Sequence, residues 1–140
     1  DAIVVSSAEC KKRQIKINKN LTTLPNTIID PNSISQVFLN LILNSIEAIK
    51  RNGTITVSTN VTSINSIPMI QINITDTGIG ISKSNITKIF NPFYTSKYEN
   101  TGLGLSIVLK IINEHNGKMD VDSEENKYTT FKVSIPIKNS

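Results

Sequence analysis

Between Met69 and Thr75 apolar and polar side chains alternate, with Ile70, Ile72 and Ile74 on one parity and Gln71, Asn73 and Thr75 on the other. That period belongs to a strand with one buried face. Asp76 continues the apolar parity, so an extended chain carries a carboxylate towards the dry side, where an unpaired charge is expensive. Gly78 and Gly80 follow at once and allow a backbone or a ligand to come close. The combination suggests a ligand-reading group. A turn also explains it, with Asp76 as its cap and glycine taking φ > 0. Taken alone, the stretch favours the turn slightly.

The rest of the chain narrows the choice. Its 140 residues suit one compact domain, 1–140, without an internal repeat or domain boundary, and a hydrophobic fraction of 38% supplies a core. Low aromatic content and the absence of Trp argue against base-stacking on single-stranded nucleic acid. A net charge of +4, spread thinly, makes no DNA-binding stripe but suits a small polyanion. No nucleic-acid partner is expected. Cys10 is the single cysteine, which excludes a disulfide framework or cysteine-based metal cluster and fits a reducing compartment. The lone His115 cannot build a metal site by itself and sits at a helix end, where a structural role is expected. No run is long enough to span a bilayer and no signal-peptide pattern opens the chain. The expectation is a cytoplasmic chain, monomeric in isolation and not itself inserted in a membrane, whose parent protein could carry an anchor.

In order, residues 1–13 fit a short opening helix, 15–20 a strand, and 27–30 a shorter strand. Asp30-Pro31-Asn32-Ser33 is a helix-start signal for 34–51. Apolar residues cover most of that helix. Gln36, Asn40, Asn44, Glu47 and Arg51 recur every third or fourth residue and form one narrow polar stripe. Solvent is the default explanation for such a stripe. Asn is a weak helix former, however, and two of them one turn apart tilt the reading towards a polar cleft. Asn52-Gly53 leads into a strand at 54–61, and a loop at 63–68 joins it to the strand ending at Asp76. Ser82 is a candidate cap for a short helix at 83–90. Residues 91–100 have no period and read as a mobile lid. Thr101-Gly102-Leu103-Gly104-Leu105 then opens a helix running to about His115, a place where free N–H groups and the helix dipole favour an anion. The signal is weak alone, and neither a Walker A loop nor G-x-G-x-x-G is present. Asn116-Gly117 ends the helix, and two alternating strands close the chain.

Four segments in this order are far more specific than any one of them. Asn40-Leu-Ile-Leu-Asn44-Ser-Ile-Glu47-Ala48 (40–48), Asp76-Thr-Gly-Ile-Gly80 (76–80), Ile89-Phe-Asn-Pro-Phe-Tyr-Thr-Ser-Lys97 (89–97) and Thr101-Gly-Leu-Gly-Leu105 (101–105) resemble the N, G1, F and G2 boxes of sensor histidine kinase ATP-binding domains. These belong to the wider superfamily with Hsp90, gyrase B and MutL. The resemblance implies an α+β fold: a two-layer α/β sandwich in which a mixed, mostly antiparallel sheet is covered on one face by about three helices, with an ATP lid.

The resemblance further implies ATP and Mg²⁺ as ligands. Asp76 would accept a hydrogen bond from the adenine amine, and Gly78 and Gly80 would let the chain pass the base and ribose. Asn44 would give its oxygen to Mg²⁺, with Asn40 near the phosphates or metal waters. The 101–105 stretch, with Thr101, Gly102, Leu103, Gly104 and Leu105, would hold the outer phosphates. Lys97 either reaches them from the lid or is a solvated loop lysine. ATPase relatives resemble one another in having Glu where this chain has Asn40. An amide is no base, whereas neutral imidazole needs none, so Asn40 favours phosphorylation of histidine over hydrolysis. Departures from the pattern are Asn100, Asn91 and the Glu47-Ala48 pair. The implied partners are a phosphoacceptor histidine domain of the same parent and a response regulator receiver. The competing reading is a non-catalytic nucleotide sensor whose lid is ordered by ATP.

Overall fold

The computed structural model describes residues 10–21, 31–49, 52–86 and 104–137. After a helical turn at 10–12 come β1 (Ile15–Asn20), α1 (Pro31–Ile49), β2 (Gly53–Ile64) and β3 (Ile67–Asp76). The four-residue α2 (Lys83–Ile86), α3 (Gly104–Glu114), β4 (Lys118–Glu124) and β5 (Tyr128–Pro136) follow. The five strands form one sheet in the order β1-β2-β3-β5-β4. β1 and β2 run parallel, with Ile15 opposite Gly53, so α1 lies in a β–α–β crossover; every other pairing is antiparallel.

Strand alternation decides which side is covered. Ile55 and Val57 of β2, Ile70, Ile72 and Ile74 of β3, and Phe131, Val133 and Ile135 of β5 are buried on one face. They form a core with Val37, Leu41, Ile42 and Ile46 of α1 and Leu105, Val108 and Ile112 of α3. The other face carries Thr54, Thr56, Ser58, Gln71, Asn73, Thr75 and Thr130. Among the described residues it is tied across by hydrogen bonds such as Thr75 to Thr130 at 2.8 Å. This is the expected two-layer, mostly antiparallel α+β sandwich with helices on one side.

Helix ends follow local chemistry. α1 begins at Pro31, whose fixed φ and missing N–H suit a first helical turn. α3 ends with Asn116 at φ 58°. There Gly117 N–H donates to the Ile112 carbonyl at 2.9 Å and Asn116 N–H to that of Asn113 at 3.0 Å, a Schellman pair. His115 is structural as expected, its Nδ1 lying 2.9 Å from the Ile111 carbonyl. Ser82 receives the first helical bonds of α2 on its carbonyl, while its hydroxyl meets that of Ser84. The expected strand at 27–30, the rest of the opening helix and the 87–90 part of the 83–90 helix lie outside the described residues. No described helix is long and apolar enough to cross a membrane.

The expected loop at 63–68 is a correction. β2 and β3 run on to Ile64 and Ile67, leaving a two-residue turn with Asn65 at φ 51° and Ser66 at φ 67°. Two successive positive φ values match the right-handed twist of a hairpin. Pro68 is tolerated near the strand end, where its carbonyl accepts the Ile137 N–H at 3.0 Å. Ser66 is strained in this conformation, since a side chain there crowds the backbone. Ser66→Gly should therefore stabilise the chain by roughly 0.5–1 kcal/mol in urea unfolding. A lowered midpoint would contradict the assigned turn.

Candidate functional site

Asp76 closes β3 between Ile55 of β2 and Thr129 of β5, and it is only 1% exposed. Alternation has turned it inward, under α1. Its Oδ1 accepts the Gly78 N–H at 2.9 Å. The turn and the inward carboxylate are therefore both present, since the Asp caps its own turn while buried. Burial pushes its pKa up to about 6. The Gly78 N–H and the nearby Ser45 hydroxyl pull the other way, because each favours the charged form. Ser45, on α1 and 1% exposed, is short of hydrogen-bonding geometry and leaves its Oγ without a partner.

One residue earlier, Asn44 is half-buried, and its Nδ2 is buried without a partner among the described residues. Two adjacent polar groups left unsatisfied beside a buried carboxylate are unusual in a stable core. Along the polar stripe Gln36 is exposed whereas Asn40, Asn44 and Glu47 are half-buried, so the stripe grows less exposed towards the Asp76 end of α1. Leu43, expected to help cover the helix, is 40% exposed beside it.

The glycines have a protein-internal reason. A Cβ on Gly78 would stand 2.7 Å from the Ala48 carbonyl carbon. The loop lies so close to the last turn of α1 that Ile79 N–H donates to the Ala48 carbonyl at 3.2 Å. Gly80 has φ 71°, and a Cβ there would collide with the Glu124 carbonyl. Both glycines thus let the 77–81 loop wedge between α1 and the β4–β5 turn. Gly104 opens α3, and the Leu105 side chain is buried in the core, so only its backbone is available to a ligand. Lys97, Thr101, Gly102 and Leu103, with all of 89–97, lie outside the described residues.

Asp76, Asn44 and the glycine loop are therefore brought to one end of the sheet, beneath and beside α1, with Asn40 one turn earlier on that helix. Sequence reasoning missed Ser45, Ser123 and Thr129. Their signal was positional: Ser45 is one turn beyond Leu41 on the buried side of α1, Ser123 shares parity with Met119 and Val121, and Thr129 with Phe131.

A sheet backed by helices on one face, with a buried acid under an Asn-bearing helix, makes this chain an α/β sandwich with a polar group set into its core. The chain belongs to the family of histidine kinase-, DNA gyrase B- and HSP90-like ATPases, whose profile matches residues 29–139. It is 38% identical to the Escherichia coli K12 sensor histidine kinase ZraS over 135 residues, 96% of this chain and 28% of that protein. It is likewise 38% identical to sporulation kinase C of Bacillus subtilis over 127 residues, 89% of this chain and 29% of that protein. The nucleotide-free catalytic domain of histidine kinase ThkA superposes with a TM-score of 0.84 at 32% identity, covering 98% of this chain and 88% of that one. The chain thus spans under a third of its curated relatives and corresponds to their ATP-binding catalytic domain.

A raised carboxylate pKa has a definite sign. The contribution of Asp76 to stability is fully present below its ordinary value of 3.8 and is lost as pH rises through about 6. Above that the buried charge opposes folding by about 3 kcal/mol. Asp76→Asn, whose amide could donate to Ser45, should stabilise the ligand-free chain by up to about 3 kcal/mol at pH 8 and by little near pH 3. Equal unfolding midpoints for the two proteins at pH 8 would contradict the buried charge.

Proposed function

We propose that this chain binds ATP with Mg²⁺ and supplies the γ-phosphoryl group to a histidine on a separate helical domain of the same parent protein, residues 1–140 acting as one catalytic domain. A response regulator would take the phosphoryl group next. The solved complex of ThkA with the response regulator TrrA, 29% identical with a TM-score of 0.78 over 97% of this chain, supports that order of partners. The observation carrying the reading is the buried Asp76 under the helix turn whose Asn44 Nδ2 and Ser45 Oγ have no partner among the described residues.

Asp76 would accept the adenine exocyclic amine. Guanine presents a carbonyl at that position and would set oxygen against a carboxylate, so the same residue excludes it. Asn44 fits a divalent cation, because rotating its amide offers Oδ1 in place of the unsatisfied Nδ2. No cluster of three His, Cys, Asp or Glu exists among the described residues, so phosphate oxygens and waters must complete the shell. When bound, Mg²⁺ neutralises charge on the phosphates. Asn40 lies one turn earlier for phosphate or metal-bound water. Thr101, Gly102, Leu103, Gly104 and Leu105 at the start of α3 would present backbone N–H groups to the outer phosphates, with Lys97 as an added cation.

Asn40 also bears on what is attacked. It cannot remove a proton from water, whereas an incoming imidazole attacks phosphorus with its own lone pair. Histidine is then favoured over water, and the work of the chain is positioning and charge neutralisation.

Calorimetry with a non-hydrolysable ATP analogue tests this. Wild type should bind more tightly with Mg²⁺ than without, and Asn44→Ala should lose mainly that increment. With ATP and a phosphoacceptor helical domain in trans, acid-labile phosphohistidine should form, while the chain alone releases little phosphate. Robust phosphate release from the isolated chain, or binding without transfer, would contradict the kinase reading.

A further inference from the structure

The 77–81 loop is held on two sides, and only one of them is α1. On the other side Ser123, near the end of β4, uses one hydroxyl for three short hydrogen bonds. It donates to the Tyr128 carbonyl at 2.7 Å, leaving its lone pairs for the Ile81 N–H at 2.7 Å and the Thr129 hydroxyl at 2.8 Å. A hydroxyl has one donor and two acceptor sites, so Ser123 is saturated and its orientation is fixed. Three residues on, in the same hairpin turn, Asn126 N–H donates to the Ile79 carbonyl. Asn126 has φ 65°, which turns that N–H out of the hairpin. Gly80 lies between these attachments, against the Glu124 carbonyl with no room for a side chain. Neither Ser123 nor Asn126 belongs to the four boxes.

We propose that Ser123 is a positioning residue for nucleotide binding: its hydroxyl pins Ile81 to β4 and so fixes the height of the 77–81 loop beside Asp76. The inference rests on the ATP-binding reading above. Its physical basis is that Asp76 and the loop are one unit. Gly78 N–H is bonded to the carboxylate, and Ile79 and Ile81 are bonded to α1 and to the β4–β5 hairpin. Releasing Ile81 frees the far end of the segment whose near end orients the acid. Ser123 also holds Thr129, the residue directly across from Asp76 in the sheet. The consequence falls on the adenosine end of the ligand. The phosphate end depends on α1 and α3, which Ser123 does not touch among the described residues.

The test compares wild type, Ser123→Ala and Ser123→Thr, the last keeping the hydroxyl, in the full 140-residue chain. Site-resolved amide exchange is read without ligand, and affinity is read for adenosine, for a non-hydrolysable ATP analogue and for inorganic triphosphate. Ser123→Ala should accelerate exchange at Ile81 while exchange in α1 and α3 is unchanged. It should weaken adenosine and the ATP analogue by a similar factor of about ten and leave triphosphate within twofold. Ser123→Thr should restore slow exchange and affinity. Unchanged exchange at Ile81, equal losses for all three ligands, or accelerated exchange throughout the chain would each overturn the proposal. If wild type binds no adenosine or ATP analogue, the nucleotide reading fails and this inference with it. If wild type binds and Ser123→Ala binds equally well, the positioning role alone fails.

Discussion

A single carboxylate turned into the dry side of a sheet is the constraint around which this domain is arranged. Asp76 is as buried as the isoleucines that precede it, yet it carries a charge at neutral pH. Its compensation within the described residues is thin: one backbone N–H at 2.9 Å and a serine hydroxyl that does not complete a bond. A core selected for stability alone would place an apolar residue there. The proposed adenine amine is a donor that would compensate the same charge.

Three parts of the chain, distant in sequence, meet to hold that acid. β3 delivers it, the last turn of α1 receives the loop through the Ala48 carbonyl, and the β4–β5 hairpin grips the loop beyond Gly80. The two glycines are the spacers that permit both approaches. Asn44 and Ser45 are successive residues of α1, and both leave a buried polar atom unsatisfied at this end of the fold. On the proposed reading, the same short piece of helix lies over the acid that would read the base and carries the amide that would face the cation.

Much of this was legible in the amino-acid order because alternation and helical period are local. Ile70, Ile72 and Ile74 announced the inner face of β3, the stripe through Asn40 and Asn44 announced the polar side of α1, and Asn116-Gly117 announced the end of α3. What was lost depended on partners far away. The β2–β3 turn was read as a longer loop because Asn65-Ser66 lacks the glycine that usually accompanies two positive φ values, and Pro68 looked like a strand breaker. Gly78 and Gly80 were read as admitting either a backbone or a ligand, and the backbones that demand them are those of Ala48 and Glu124. Ser45, Ser123 and Thr129 are single small hydroxyls on buried parities, indistinguishable from packing filler until the register sets them around Asp76 and its loop.

The titration of Asp76 itself examines the central claim most directly. Carbon-13 labelling of aspartate allows its side-chain carboxyl to be followed by NMR from pH 3 to 9, with and without saturating adenosine, which carries no phosphate to confuse the readout. The free chain should titrate near 6, and adenosine should pull that midpoint down towards or below the ordinary 3.8, because the bound amine favours the charged carboxylate. A midpoint already near 3.8 without ligand, or one that adenosine leaves in place, would contradict the claim that a costly buried charge is what reads the base.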